Sequence, residues 1–134
     1  MTVPHQDFVP HQNVLQVKGQ EPVVFELEGR TEGIHVKIPG GAKYFTKLRF
    51  KIKNRKMENL NYKQVVKKGG IPIKTKEVDL GTREPSETEI YEVDSPEDET
   101  PSGWLTRGTY YATTTYYEGD KELFSTQWTL EITK

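Results

Sequence analysis

The segment Gly108-Thr109-Tyr110-Tyr111-Ala112-Thr113-Thr114-Thr115-Tyr116-Tyr117 runs into the turn Glu118-Gly119-Asp120-Lys121, and the chain closes on Gln127-Trp128-Thr129-Leu130-Glu131-Ile132. Aromatic and β-branched residues joined by a short, charged, glycine-bearing loop read as a β-hairpin. A second stretch is as clear. Tyr44, Thr46, Leu48, Phe50 and Ile52 fall on one face at period two, while Lys47, Arg49, Lys51 and Lys53 fall on the other. A helix would scatter those cations around its girdle; a strand collects them.

Outward from these, Val14–Val17, Val23–Leu27, Val36–Ile38, Leu60–Val66 and Ile71–Val78 read as further strands, separated by Gly/Pro turns. Residues 79–103 are turn-rich, with strand pairing expected only around Glu89–Val93. Residues 1–12, polar and holding two prolines, read as a flexible arm. The expectation is an all-β chain: one antiparallel β-sandwich over residues 13–134, with no long helix and no internal repeat.

At 134 residues the chain supports a single core. Its net charge of −1 hides segregation: twelve Lys/Arg against one acid between Lys43 and Lys76, then eight Asp/Glu and no cation between Glu84 and Glu99. A nucleic-acid surface gathers cations without adjacent anions, so no nucleic-acid partner is expected. The acidic run is suited to a basic segment of another protein. With no cysteine, neither disulfide nor thiol chemistry is available, which fits a reducing compartment. No apolar stretch reaches signal-peptide length or the ~18 residues of a membrane span. A soluble cytoplasmic protein is expected.

Nothing points to catalysis. His5, His11 and His35 do not stand at metal-ligand spacing with carboxylates. Gly40-Gly41 and Lys67-Lys68-Gly69-Gly70 lack phosphate-loop spacing before a helix. A non-enzyme without cofactor or metal is the reading.

The stretch Pro101-Ser-Gly-Trp-Leu105-Thr-Arg107-Gly108-Thr109-Tyr110 resembles the Ala-Pro-x-Gly-x-Leu-Ala-Arg-Gly-x-Tyr signature of the Rho GDP-dissociation inhibitors. Asp120-Lys121 after the acidic turn, the closing Trp128-x-Leu130-x-Ile132, Gly41-x-x-Tyr44 and Tyr62-x-Gln64 follow in that family's order. The resemblance covers residue 13 to the end. It implies an immunoglobulin-like sandwich with a hydrophobic pocket between its sheets. The expected partner is a prenylated Rho-family GTPase in its GDP form, met transiently at a membrane by an inhibitor that acts as a monomer. The pocket would take the geranylgeranyl tail, and acidic surface near its mouth would meet the GTPase's basic C-terminal segment.

Carried over residue by residue, the implied lipid contacts are Val36, Tyr44, Leu105, Trp128 and Leu130, with Ala112 in place of a larger aliphatic residue. Met57 and Leu60 fall near the mouth by order alone. The implied GTPase contacts are Glu87, Glu89, Glu92, Asp94, Glu97, Asp98, Glu99 and Asp120. The family's N-terminal arm covers the GTPase switch regions. Only about a dozen residues precede the first expected strand here, so lipid sequestration carries over more fully than inhibition of GDP release.

Each assignment has a plainer counterpart. Trp-x-Leu-x-Ile is what any sandwich core strand shows, a charge run is often a solvated loop, and Asp120 suits a hairpin turn. Two other functions stay open: a general prenyl carrier like the delta subunit of retinal phosphodiesterase, and a solid-core immunoglobulin-like scaffolding module.

Overall fold

The computed structural model describes residues 5–29, 33–100 and 108–133. The described residues hold ten strands and no helix. One sheet has the order β2 (Val23–Glu26), β1 (Phe8–Val17), β4 (Lys43–Ile52), β7 (Tyr91–Asp94), with the short β8 (Asp98–Glu99) against the start of β4. The other has the order β3 (Ile34–Pro39), β10 (Lys121–Thr133), β9 (Gly108–Glu118), β5 (Met57–Lys68), β6 (Ile71–Arg83). Two facing sheets with polar outer faces make the expected immunoglobulin-like sandwich.

The quoted hairpin is β9–β10, with Lys121 paired to Glu118 across a two-residue loop. Gly119, the first loop residue, has φ 60°, the left-handed region that a type II′ turn needs at that position. On β9 the alternation buries Tyr110, Ala112, Thr114 and Tyr116. On β4 it buries Leu48, Phe50 and Ile52 while the intervening cations reach outward.

Three expectations change. The arm over residues 1–12 gives way to strand from Phe8, which pairs with Ile52 of β4. Pro10 had suggested loose chain. It sits beside a bulge at His11, where the register slips by one residue and a missing N–H is tolerated. The pairing is not antiparallel throughout, because β3 runs parallel to β10. The chain leaves the first sheet after β2 and joins the outer side of the closing strand in that strand's own direction. Finally, β6 extends to Arg83 and β8 adds pairing at Asp98–Glu99, both inside the stretch expected to be mostly turns.

The core divides in two. At one end Phe8, Phe50, Tyr62, Tyr116 and Phe124 join Met57, Leu60, Ile52 and Leu80 in a dense aromatic cluster. Ring centroids lie 4.9–6.0 Å apart for Tyr116–Phe124, Phe8–Tyr116, Phe8–Phe50 and Phe8–Phe124, the separation at which tilted aromatic pairs attract. At the other end, smaller residues such as Val17, Val36, Ile38, Val66 and Ile132 form a second cluster.

An ion-pair junction closes the aromatic end. Arg55, between β4 and β5, meets Asp7 at 3.1 Å and Glu118 at 2.8 Å, and Glu118 also accepts the Glu58 backbone N–H. Arg55's hydrogen bonds hold the Glu118 carboxyl down at about 2, against an opposing effect of burial. A lowered carboxyl pKa stabilises the fold above the usual value of 4.5 and loses that contribution as pH falls toward 2. Melting curves of Glu118→Gln should therefore show a Tm a few degrees lower at neutral pH and a flatter decline between pH 4.5 and 2. A decline as steep as the parent's would show that Glu118 carries no such linkage.

Candidate functional site: an apolar cleft between the sheets

Between the two clusters the sheets do not meet fully. The gap has a cavity volume of about 60 Å³, where a single water needs ~10–15 Å³ on the same measure. Leu15, Leu27 and Leu48 of the first sheet's side face Val36, Val66 and Leu130 of the second across it. Phe25, Ile34, Tyr44 and Trp128 close its sides, and Tyr62 and Tyr116 form the wall toward the aromatic end.

The alternation that makes the strands also aims these groups. Val36 and Ile38 on β3, Leu130 and Trp128 on β10, and Tyr62, Gln64 and Val66 on β5 all take the inward positions. The Trp128 indole N–H donates to the Thr114 hydroxyl at 3.1 Å, so its polar atom is satisfied and its ring remains an apolar wall. The cleft is not wholly greasy. Asn13, Thr46, Gln64, Thr114, Thr126 and Lys76 also line it, and the buried Asn13 side-chain oxygen has no hydrogen-bond partner among the described residues.

Ionisation follows burial here. Burial, then the nearby Asp98 charge, then Tyr62, pushes the Tyr44 phenol up to about 12. Burial likewise raises Tyr62 and Tyr116. Burial lowers Lys76, with Asp98 opposing it and Lys74 adding to it. Burial alone would raise Asp98; hydrogen bonds from Lys74 and the Glu99 N–H, with the charges of Lys74 and Lys76, hold it low instead.

Of the expected lipid contacts, Val36, Tyr44, Trp128 and Leu130 line this cleft. Met57 and Leu60 do not. They are fully buried in the aromatic cluster, because β5 starts at that end and reaches the cleft only from Tyr62 onward. Ala112 is buried in the second cluster but forms none of the cleft wall. Leu105 lies outside the described residues.

The acidic residues do not form one patch. Glu87 and Glu89 follow β6 at the aromatic end; Glu92 and Asp94 lie on β7 beside the middle of β4; Asp98 and Glu99 pair with Tyr44 and Lys43 at its start. The run thus follows β4 for about 25 Å at the ordinary strand rise. Asp120, in the β9–β10 turn, is at the aromatic end, opposite Asp98.

Nor do the segregated charges stay apart. Lys47 meets Glu92 at 3.1 Å and Asp94 at 3.9 Å, Arg49 meets Glu92 at 2.9 Å, and Lys74 meets Asp98. Arg49 and Lys47 lower the Glu92 pKa, Arg49's hydrogen bond most. Glu87, Glu89, Glu97, Glu99 and Asp120 are exposed.

Several cleft residues escaped the sequence reading, among them Leu15, Phe25, Ile34, Val66 and Lys76. Period two offered a signal for the last: Lys74, Lys76, Val78 and Leu80 alternate on β6, and the latter two are buried. Among the described residues no cluster of His and carboxylates is arranged to hold a metal ion, and no helix is long and apolar enough to cross a membrane.

Residues 9–134 match the family described as RHO protein GDP dissociation inhibitor. The chain is 37% identical over 101 residues to a Rho GDP-dissociation inhibitor of Saccharomyces cerevisiae, covering 73% of this chain and 50% of that one. It is 30% identical over 125 residues to a probable rho GDP-dissociation inhibitor of Caenorhabditis elegans, covering 90% and 65%. Against Rho GDP-dissociation inhibitor 1 of Arabidopsis thaliana it is 32% identical over 96 residues, covering 72% and 40%. The chain thus spans 40% to 65% of the length of these relatives. With a match running from β1 to the last residue, the chain belongs to the Rho GDP-dissociation inhibitor family.

Proposed function

We propose that this chain sequesters the geranylgeranyl tail of a Rho-family GTPase in its GDP form, and so withdraws the GTPase from membranes. It does so as a cytoplasmic monomer, by binding rather than catalysis. The observation that carries this reading is the gap between the sheets, lined by Val36, Trp128 and Leu130 and stopped at one end by packed aromatics. A solid-core scaffold would have no reason to leave it.

The energetics divide the task. An isoprenoid of about twenty carbons gains on the order of 10–16 kcal/mol on leaving water, at ~0.8 kcal/mol per carbon. A bilayer offers nearly the same, so the cleft alone breaks even. A basic GTPase tail is also held at an anionic membrane by about 1 kcal/mol per Lys/Arg. The exposed carboxylates Glu97 and Glu99, beside Asp98 at the cleft end, offer that tail an alternative. Lys76, Thr46 and Gln64 make one side of the cleft polar, which suits the end of the lipid that carries the peptide.

The test is release from liposomes. Geranylgeranylated Rho GTPase on anionic vesicles is expected to move to the supernatant in proportion to added protein, while unprenylated GTPase shows weak binding. Retention on the vesicles at every concentration would end the proposal. Equal release of a farnesylated peptide without any GTPase body would favour the general prenyl carrier instead.

A further inference from the structure

Cross-sheet ion pairs tie this sandwich at both ends, and the two ties differ. At the aromatic end Arg55 engages Asp7 and Glu118 over a packed core. At the cleft end Lys74 of β6, the edge strand of one sheet, meets Asp98 of β8 in the other. Two residues along β6, the Lys76 ammonium lies 5.9 Å from the centroid of the Tyr44 ring, and Tyr44 is the residue paired with Asp98. Tyr44 and Lys76 are both cleft wall. These four side chains therefore span the gap on its β6 side, where the two sheets have edges and not continuous strands.

The elements carrying the tie are short or peripheral. β8 is two residues long and, among the described residues, its strand pairing is Lys43–Glu99 and Tyr44–Asp98. It is anchored on either side by the buried Ser95 and Thr100, which bond the backbone of Thr46, Ala42 and Pro39. Among the described residues, β6 has a neighbouring strand on one side only. What can move is therefore the Asp98 side chain and the β6 border. The cleft needs such movement, since its 60 Å³ has room for only a few waters, each with a share of about 30 Å³ in the liquid, and a twenty-carbon chain has many times as many heavy atoms. The aromatic end offers no comparable freedom.

We infer that Lys74 and Asp98 form a latch over the cleft mouth, which opens when a basic peptide segment takes Asp98 from Lys74. Charge recognition and admission of the lipid are then one event. A lipid without a basic segment must break the pair uncompensated; a lipid attached to one replaces it. The inference rests on the prenyl reading of the cleft and adds a specificity-determining residue, Lys74, that opposes entry.

The experiment uses two probes: N-acetyl-S-geranylgeranyl-cysteine methyl ester, which is neutral, and a geranylgeranylated peptide with a lysine-rich segment. Binding is measured for the parent chain, Lys74→Gln, Asp98→Asn and Lys74→Arg, each checked by thermal unfolding. Lys74→Gln should bind the neutral lipid about two- to fivefold tighter, the scale of one partly exposed ion pair, and keep its preference for the basic probe. Asp98→Asn should show the same gain and a weaker preference, Glu97 and Glu99 remaining to attract the basic segment; Lys74→Arg should behave like the parent. Added salt should strengthen neutral-lipid binding by the parent and leave Lys74→Gln unmoved.

Folded Lys74→Gln and Asp98→Asn chains that bind the neutral lipid no better than the parent would overturn the latch while leaving the cleft as the lipid site. Failure of the parent to bind either probe would overturn both.

Discussion

Replacing Phe8 by alanine is expected to cost about 3–5 kcal/mol, the range for large-to-small changes at fully buried aromatics, and to lower Tm by on the order of 10 °C. Phe8 is 0% exposed and its ring contacts Phe50, Tyr116 and Phe124. Those rings come from both sheets, so deletion opens a hole where the sandwich is most tightly held. No small collapse fills it, because Met57, Leu60 and Ile52 around it are already buried to within 1%. Denaturant unfolding of Phe8→Ala is the measurement. A loss below about 1 kcal/mol would mean that residues 8–12 are the flexible arm their composition suggests.

The second large effect is on ligand binding. Val66→Phe places a ring in the cleft beside the Lys74 edge, since Val66 lines the gap and pairs with Lys74. Part of the added volume goes into existing space, so the stability cost should stay within about 1–3 kcal/mol, the range of small-to-large core changes. Geranylgeranyl binding should fall at least tenfold, equivalent to about 1.4 kcal/mol. Thermal unfolding with and without prenyl ligand reads both quantities: the parent's Tm rises with ligand, and the variant's hardly moves. A full ligand-induced rise in Val66→Phe would place the lipid elsewhere.

What the sequence disclosed depended on range. Period-two alternation is a local property, and it identified β4 and the β9–β10 hairpin correctly, down to which face of β4 is buried. The start of β1 was hidden because Pro10 and polar neighbours weigh against a strand locally, while the deciding contacts of Phe8 come from residues more than forty positions away. Lys47, Arg49 and Glu92 looked like members of two charge fields. Only the β4–β7 pairing, a tertiary fact, shows them neutralising one another.

The expected lipid contacts divide the same way. Val36, Tyr44, Trp128 and Leu130 were placed through the family's order of motifs, and they stand on strands whose inward register is unambiguous. Met57 and Leu60 were placed near the mouth by order alone, with no motif to fix them, and order alone cannot tell one end of a strand from the other.

Among the described residues, β6 has no strand along its outer side. Such a border invites another polypeptide to add itself, the first step toward fibres or swapped dimers. Pro72 removes one donor there, and Lys74 and Lys76 point their ammonium groups toward the interior side. A second copy that zipped onto this border would have to dehydrate those cations, so the open border does not become a template for the chain's own aggregation.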